Sequence, residues 1–401
     1  MSMFLNALLW VVYCYLTFWM LYFLFFGIVG HFRKSRPVGR SWSATFLVLI
    51  PAYKEDDVIV DSVVSAVNHS YPNDMYDVVV VADSLLPETL DRLREIPVEV
   101  LEVSFDNSTK SRSINAALAA IRNDYDAVVV LDADNHMASD FLSKMATKCN
   151  RGAKAIQGHR IAKSIGSKMA LLDAVSEEVN NHIFRLGHRE VGLSSALAGS
   201  GMVFEYSLFK EVMAQVEAIG GFDRELELRL IEQGIRIDYV PDAYIFDEKV
   251  PTHDAFRHQR RRWFAAQYHY LGRYARSGVK ALFKGHIDYA DKVLQGAQVS
   301  RLLLPGLLVA FGTVAAIFAL SPSWVFWAIS LAGSVIALLI AIPARFYNRF
   351  LVGAMVEIPT TFVSMLLLHF TLKGANKTFI HTKHGQDDGK PESRQKAPYC
   401  N

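Results

Sequence analysis

The chain has 401 residues and a formal net charge of only +2, with 51% hydrophobic, 12% aromatic and 20% charged residues. Near-neutrality, without a basic stripe interleaved with aromatics, argues against nucleic acid as a partner, while a mean hydropathy of +0.18 fits a soluble domain tethered to membrane helices. Cys14, Cys149 and Cys400 lie far apart without paired metal spacing, which suggests neither a disulfide framework nor a zinc site and suits a catalytic domain on the reducing side.

Residues 3–30 form an uncharged apolar stretch long enough to cross a bilayer. It lacks the basic start and short core of a cleaved leader, so a retained anchor is expected. Arg33, Lys34, Arg36 and Arg40 follow directly and place the next domain in the cytoplasm. Residues 45–50 read as a short strand running into Pro51-Ala-Tyr-Lys-Glu-Asp-Asp57, and residues 58–69 carry apolar positions at helical spacing. A second buried strand, 77–82, ends at Asp83 and Ser84; strand, helix and strand with polar ends on one edge make a βαβ unit.

Residues 98–103 predict a third strand, and residues 111–121 a helix preceded by Lys110. The apolar run from 126 closes on Asp132-Ala-Asp134. Such runs, without polar alternation, read as strands buried on both faces of a parallel sheet, and ligands bind beyond the carboxyl ends of those strands. Two hard oxygen donors there suit Mg²⁺ or Mn²⁺ carrying a phosphate-bearing substrate; a polar strand-to-loop turn is the plainer alternative. Lys110 likewise reads either as a nucleotide-site cation or as a solvated lysine at a helix start. Glu55 with Asp56, Asp83, Lys110, and Asp132 with Asp134 all fall at strand ends, which favours a site over coincidence.

Residues 167–185 predict a helix crowded with Glu177, Glu178, Asn181, His182 and Arg185. Glu178 and His182 at i, i+4 allow a metal pair, against the commoner reading of a solvated or domain-facing charged stripe. Gly199-Ser-Gly201 permits close backbone approach. Residues 220–230 offer Asp223, Glu225 and Glu227; Asp223 doubles as a helix N-cap candidate, and Glu225 and Glu227, two apart, cannot share a helix face. A further strand is expected over 235–240.

His258-Gln-Arg-Arg-Arg-Trp263 is a basic cluster closed by an aromatic, with Phe264, Tyr268 and Tyr270 following, which also suits a helix lying on anionic headgroups. Residues 277–300 read as amphipathic along the membrane surface. Residues 302–320 and 324–341 make an apolar hairpin around Ser321-Pro-Ser323, with Arg345 and Arg349 on its return side. Residues 350–372 are long enough to span but hold Glu357 and Pro359 and are followed by Lys373, Lys377 and Lys383, so a kinked or interfacial segment is expected. Residues 386–401 read as a disordered polar tail.

Pro51-Ala-Tyr-Lys-Glu55, Asp83-Ser84, Lys110 with Asn115-Ala-Ala-Leu118, Asp132-Ala-Asp134, Gly199-Ser-Gly201, Glu225-Leu-Glu-Leu228 and Gln259-Arg-Arg-Arg-Trp263 occur in an order that resembles glycosyltransferase family 2. The resemblance is to its membrane-embedded inverting members, the synthases of poly-N-acetylglucosamine, chitin, hyaluronan and cellulose. It implies an α/β fold of GT-A type, a Rossmann-like, mostly parallel mixed sheet in the cytoplasm with transmembrane helices at both ends. The expected division is an anchor (1–30), a basic linker (31–43), the GT-A domain (44–272), an interfacial segment (273–300), a membrane region (301–372) and a polar tail (373–401).

The same resemblance assigns roles. Pro51, Ala52, Tyr53, Glu55, Asp83, Lys110, Asp132, Gln259, Arg262 and Trp263 would bind the nucleotide sugar. Gly199, Ser200, Gly201 and Trp263 would meet the acceptor, and Asp132 and Asp134 would hold Mg²⁺ or Mn²⁺. Where the family usually has Thr-Glu-Asp this chain offers Arg224-Glu225, so Glu225 is the expected base, with Asp223 in reserve. The implied activity is inverting transfer from a nucleoside-diphosphate sugar, UDP-linked by resemblance, to a saccharide acceptor in polysaccharide synthesis at the inner cell membrane. Other polysaccharide-assembly proteins and the lipid bilayer are its implied partners. Single transfer to a lipid-linked acceptor, a non-catalytic scaffold, and a phosphohydrolase using Asp132 as nucleophile are the alternatives.

Overall fold

In the computed structural model, which describes residues 2–32, 39–218, 220–250, 252–369, 371 and 395–396, the β-branched runs become the centre of an eight-stranded sheet. Strands β1 (Phe46–Tyr53), β2 (Tyr76–Asp83), β3 (Glu99–Val103) and β4 (Ala127–Val130) lie in the order β3-β2-β1-β4, all parallel. Helices α2 (Ile59–Val67), α3 (Pro87–Arg94) and α4 (Lys110–Ala120) make the crossovers; α1 is the N-terminal helix Ser2–Val29. All of β4 is buried because helices cover both faces of the sheet. Leu47, Leu49, Val79, Val81, Val128 and Val130 belong to one apolar layer with Ile114 and Leu226, while Phe46, Val48, Ile50, Val78, Val80 and Val129 belong to the other with Ile59 and Phe141.

Beyond β4 the sheet changes character. The remaining strands are β5 (His136–Met137), β6 (Ala155–Ala162), β8 (Met202–Glu205) and β9 (Ile237–Asp247), with β7 (Ser164–Ile165) outside this sheet and antiparallel to β10 (Gln395–Lys396), so these two residues of the tail expected to be disordered are paired. The order runs on as β4-β8-β6-β9-β5, with β8 antiparallel to both neighbours, β6 parallel to β9, and β5 antiparallel to β9. The strand expected at 235–240 therefore continues to Asp247, through a register shift opposite Gly158 and His159.

Helices α5 (Phe141–Cys149), α6 (Lys168–Asn180), α7 (His188–Glu190), α8 (Tyr206–Met213) and α9 (Phe222–Glu232) complete the domain, and a π-helical segment, Asn181–Gly187, joins α6 to α7. Helix α10 (His253–Phe283) starts at Thr252, whose hydroxyl accepts from the Ala255 N–H at 3.3 Å, and runs unbroken through residue 272. It is followed by α11 (Ile287–Leu294), α12 (Leu303–Ile317), α13 (Trp324–Ala341), α14 (Arg349–Ala354) and α15 (Ile358–Leu368).

Among the described residues three helices are long and apolar enough to cross a membrane: Met3–Phe32, Trp324–Ala341 and Arg349–Leu368. The last is interrupted by a 3-10 turn at Met355–Glu357, just before Pro359, and Glu357 Oε2 meets His253 Nε2 at 3.0 Å, so the acid within the apolar segment faces protein. Arg33, Lys34, Arg36, Lys373, Lys377 and Lys383 lie outside the described residues. The N-terminal helix is bonded to the elements around the sheet: the Tyr22 hydroxyl donates to Asp291 Oδ1 at 2.7 Å and lies 2.8 Å from His188 Nε2, and His182 Nε2 meets the Gly27 carbonyl at 2.8 Å. A Cβ at Gly187 would collide with the Phe26 carbonyl, so the two helices touch backbone to backbone there.

Candidate active site

Parallel strands of equal reach put their C-terminal residues on one edge. Tyr53 and Asp83 are register partners at the ends of β1 and β2, and the residues just beyond, Lys54 and Ser84, turn sharply through φ of 55° and 58°. Pro51 and Ala52 pair with Val81 and Ala82 along the same edge, and the Glu55 carbonyl accepts from the Ile59 N–H at 3.0 Å, starting α2. Asp83 is fully buried; its Oδ1 accepts from the Ser84 hydroxyl at 2.9 Å, and its Oδ2 has no hydrogen-bond partner. A buried carboxylate oxygen left in this state is costly unless a ligand donor meets it.

Two strand spacings away, about 10 Å, the chain leaves β4 at Asp132. The Asp132 N–H donates to the Ser200 hydroxyl at 2.9 Å, and the Lys110 ammonium pairs with Asp132 Oδ1 while donating to the Gly199 carbonyl at 2.7 Å. Thr109 caps α4 by accepting from the Arg112 N–H at 3.2 Å, which sets Lys110 in the first turn. Asp134 is buried, and Asn135 Nδ2 donates both to Asp134 Oδ1 at 2.8 Å and to Asp247 Oδ1 at 3.0 Å. Among the described residues no group of three His, Cys, Asp or Glu side chains is gathered around one point. Two carboxylates one residue apart fit instead a Mg²⁺ or Mn²⁺ ion that takes its other ligands from diphosphate oxygens and water.

Gly199 and Gly201 have φ of 80° and 63°, a turn that lets the Gly201 N–H donate to the Val130 carbonyl at 2.9 Å. Asp223, in the first turn of α9, comes up against it: a Cβ at Gly199 would stand 3.5 Å from Asp223 Oδ2. Burial raises the Asp223 pKa, the Arg224 N–H opposes this, Glu227 and Asp132 add to it, and Lys110 offsets part.

Glu225 does not join this group. It is 1% exposed on the other side of α9, where Arg229 Nη2 and Arg273 Nη1 approach its Oε1 at 2.8 and 3.3 Å. Glu227 is held separately, by Arg224, by the Leu197 N–H at 3.3 Å and by Lys292 Nζ at 3.4 Å. On α10, Gln259 keeps a buried Oε1 without a partner, Arg262 lies within the field of Asp132, and Trp263 is 39% exposed with the Arg260 guanidinium 4.2 Å from its ring centroid. Burial pulls the Arg262 pKa down and the Asp132 charge resists it.

Residues 44–266, more than half of the chain, match the family described as "Glycosyltransferase like family 2". The chain belongs to glycosyltransferase family 2. It is similar to an N-acetylglucosaminyltransferase of Rhizobium meliloti, 25% identical over 237 residues, and to the probable glycosyltransferase YdaM of Bacillus subtilis, 22% identical over 226 residues. Each match covers 54% of this chain and 54% or 53% of the relative, so the chain spans about half the length of the curated relatives it matches. Among solved structures, the mannosyltransferase PcManGT from Pyrobaculum calidifontis, in complex with GDP-Man and Mn²⁺, aligns over 93% of this chain and 100% of its own, with a TM-score of 0.57 at 16% identity. The likeness shows the fold: the mixed sheet of this family 2 domain is of GT-A type.

Behind the site lies a buried charge network that the sequence reading did not single out. Arg160 on β6 reaches Asp247 Oδ2 at 3.4 Å and Glu177 Oε1 at 3.8 Å; Lys249 Nζ reaches Asp247 Oδ2 at 2.6 Å, and Arg185 Nη1 reaches Glu177 Oε1 at 2.9 Å. Burial alone would depress the Arg160 pKa, but Asp247, Glu177, Asp132 and Asp134 together raise it. Through Asn135 the network holds Asp134 in place. The crowding at 177–185 was its one visible signal. Glu178 and His182 do not face a common ligand: Glu178 takes His159 Nε2 at 3.1 Å and Arg345 Nη2 at 2.7 Å, while His182 faces α1.

Proposed function

We propose that this family 2 domain moves a sugar from a nucleoside-diphosphate donor to an acceptor hydroxyl, with inversion at the anomeric carbon. One observation carries the reading: Lys110, Asp132, Gly199 and Asp223 adjoin beyond the end of β4, on the edge where Asp83 presents an unpartnered buried oxygen. Asp83 then takes an N–H of the base, with Pro51, Ala52, Tyr53 and Glu55 bordering it. Lys110 and Arg262 offset the diphosphate charge, and Gln259 lies one turn earlier on α10. Asp132 and Asp134 would hold Mg²⁺ or Mn²⁺, which when bound neutralises charge on the departing nucleoside diphosphate. Gly199, Ser200, Gly201 and the exposed Trp263 ring border the acceptor sugar.

Asp223, rather than Glu225, serves as base in this reading. Its carboxylate takes the acceptor hydroxyl proton, and the oxygen attacks the anomeric carbon on the face opposite the diphosphate. The C–O bond to the diphosphate breaks with its electron pair, leaving a β-linkage. A raised pKa makes Asp223 the stronger proton acceptor, whereas Glu225 is engaged by Arg229 and Arg273.

The apolar helices support attachment to a membrane; that this is the inner membrane with a cytoplasmic site, and that a polysaccharide grows there from a UDP-linked donor, belongs to the proposal. With three candidate spans to wall a channel, single transfer to a lipid-linked acceptor is the second reading. Membranes carrying the full chain, supplied with radiolabelled UDP- and GDP-sugars and Mn²⁺ or Mg²⁺, test both. Incorporation that is abolished by Asp223→Asn supports transfer, and the product size separates polymer from single addition. No incorporation from any donor overturns the proposal.

A further inference from the structure

Arg301, half-buried between α11 and α12 and two residues ahead of Leu303, differs from the arginines around it. Arg160 has Asp247, Arg185 has Glu177, and Arg260 has Asp173 at 2.8 Å. Arg301 makes no ion pair among the described residues; its Nη1 is buried without a hydrogen-bond partner, and its guanidinium stands 5.1 Å from the Phe184 ring centroid. Arg260 Nε is a second buried donor without a hydrogen-bond partner. Burial pulls the Arg301 pKa down, the Arg260 charge pulls it further, Glu177 resists and Arg185 adds to the fall. Asp173 and Glu177 are thus two acids facing Arg185, Arg260 and Arg301, with Glu177 also serving Arg160.

A guanidinium nitrogen buried without a hydrogen-bond partner is costly, and the planar fork it belongs to matches the oxygens of a phosphate. The surroundings indicate what carries such a group. Arg260 stacks on Trp263, placed above at the acceptor side, and α12 begins directly after Arg301. Phe256, which the Arg260 guanidinium covers at 4.6 Å, packs with Met169, Leu303 and Met365 in one apolar cluster. The arrangement is a cationic head against an apolar wall that continues into the candidate membrane helices.

We propose that Arg301, together with Arg260, binds the phosphate oxyanion of a membrane lipid at the boundary between the catalytic domain and the apolar helices. That this lipid is the sugar acceptor rests on the transfer reading above; the phosphate site itself does not. The test uses the full chain in neutral-lipid nanodiscs, titrated with a polyprenyl phosphate, the uncharged prenol, phosphatidylglycerol or inorganic phosphate, with thermal stability as readout. Nucleoside-diphosphate binding in Mn²⁺ is measured in parallel.

The wild type is expected to show a saturable rise in melting temperature with a phosphate-bearing lipid and none with the prenol. Arg301→Gln should weaken that response roughly tenfold or more, as loss of a charge-assisted hydrogen-bond pair does, with Arg301→Lys intermediate and nucleotide binding unchanged. A preference for the polyprenyl phosphate identifies an acceptor, and a preference for phosphatidylglycerol identifies a bulk headgroup; each supports the site. Equal responses of wild type and Arg301→Gln, a response to inorganic phosphate alone, or equal responses to prenol and prenyl phosphate overturn it. Should the glutamine variant not fold, a lysine variant indistinguishable from wild type has the same force. Failure of the wild type to bind any nucleoside diphosphate counts against the transfer reading alone.

Discussion

Asp223 and Glu225, two positions apart on α9, project to opposite sides of the helix, the first against Gly199 and the second into Arg229 and Arg273. Their replacements should therefore fail differently. Asp223→Asn is expected to lower kcat by about 10²–10⁴-fold, the range for a lost general base, without changing donor Kd or lowering the melting temperature. Glu225→Gln leaves two guanidinium groups short of their carboxylate and should cost about 1–3 kcal/mol of stability in urea unfolding, with kcat near wild type. Equal kcat in Asp223→Asn and wild type would remove Asp223 from the chemistry.

The raised Asp223 pKa sets a sign for pH dependence. A base must be unprotonated, so kcat/KM for the acceptor should fall on an acidic limb lying above the ordinary aspartate range. Glu227→Gln removes a negative charge acting on Asp223 and should move that limb to lower pH, whatever it does to the amplitude. Stability runs the other way: the folded state holds this proton more tightly than the unfolded chain, so the contribution is full below about pH 3.9 and lost as pH rises through the raised value. A limb unmoved by Glu227→Gln contradicts the electrostatic link.

Lys110 bridges Asp132 and the Gly199 carbonyl, so it ties the acid beyond β4 to the Gly199–Gly201 turn. Lys110→Met should weaken nucleoside-diphosphate binding by about 1.5–3 kcal/mol, the worth of a hydrogen bond to a charged group, as read by calorimetry. Chelation of the divalent ion should weaken binding in wild type and have little further effect in Asp132→Asn/Asp134→Asn. Undiminished binding after chelation would argue against a metal-dependent donor site.

Gly201 has no room for a side chain: with φ of 63°, an added Cβ would stand 2.5 Å from Ile245 Cγ1. Gly201→Ala should therefore cost at least about 2 kcal/mol through left-handed strain and overpacking, measured by thermal unfolding. Gly199→Ala meets only Asp223, at ordinary contact distance. Its stability loss should be smaller and its effect on turnover proportionally larger.

The parallel half of the sheet was legible because β1, β2 and β4 are buried on both faces and their apolar runs are continuous. Their ends follow from the same logic, which places Asp83, Asp132 and Asp134 beyond or at strand ends and Lys110 at the start of the helix after β3. The choice between Asp223 and Glu225 was not legible, since it depends on how α9 is rotated against Gly199. Arg160, Asp247 and Arg260 were also hidden, because Asn135 meets Asp247 across 112 positions and Arg260 meets Asp173 across 87. The 3-10 interruption at Met355–Glu357 falls beside the Glu357 and Pro359 that suggested a kinked or interfacial segment, whereas the continuity of α10 through 272 was not legible, since its apolar and charged residues change balance without a break signal.

The bonds from Tyr22 to Asp291 and His188, with the backbone contact at Gly187, make the first helix a gauge rather than a tether. Were that helix seated in lipid, it would set the height of the Asp132, Gly199 and Asp223 group above the headgroups, and the reach of an acceptor hydroxyl from the bilayer would then decide whether it arrives. The setting is made by side chains and a backbone contact along the helix itself.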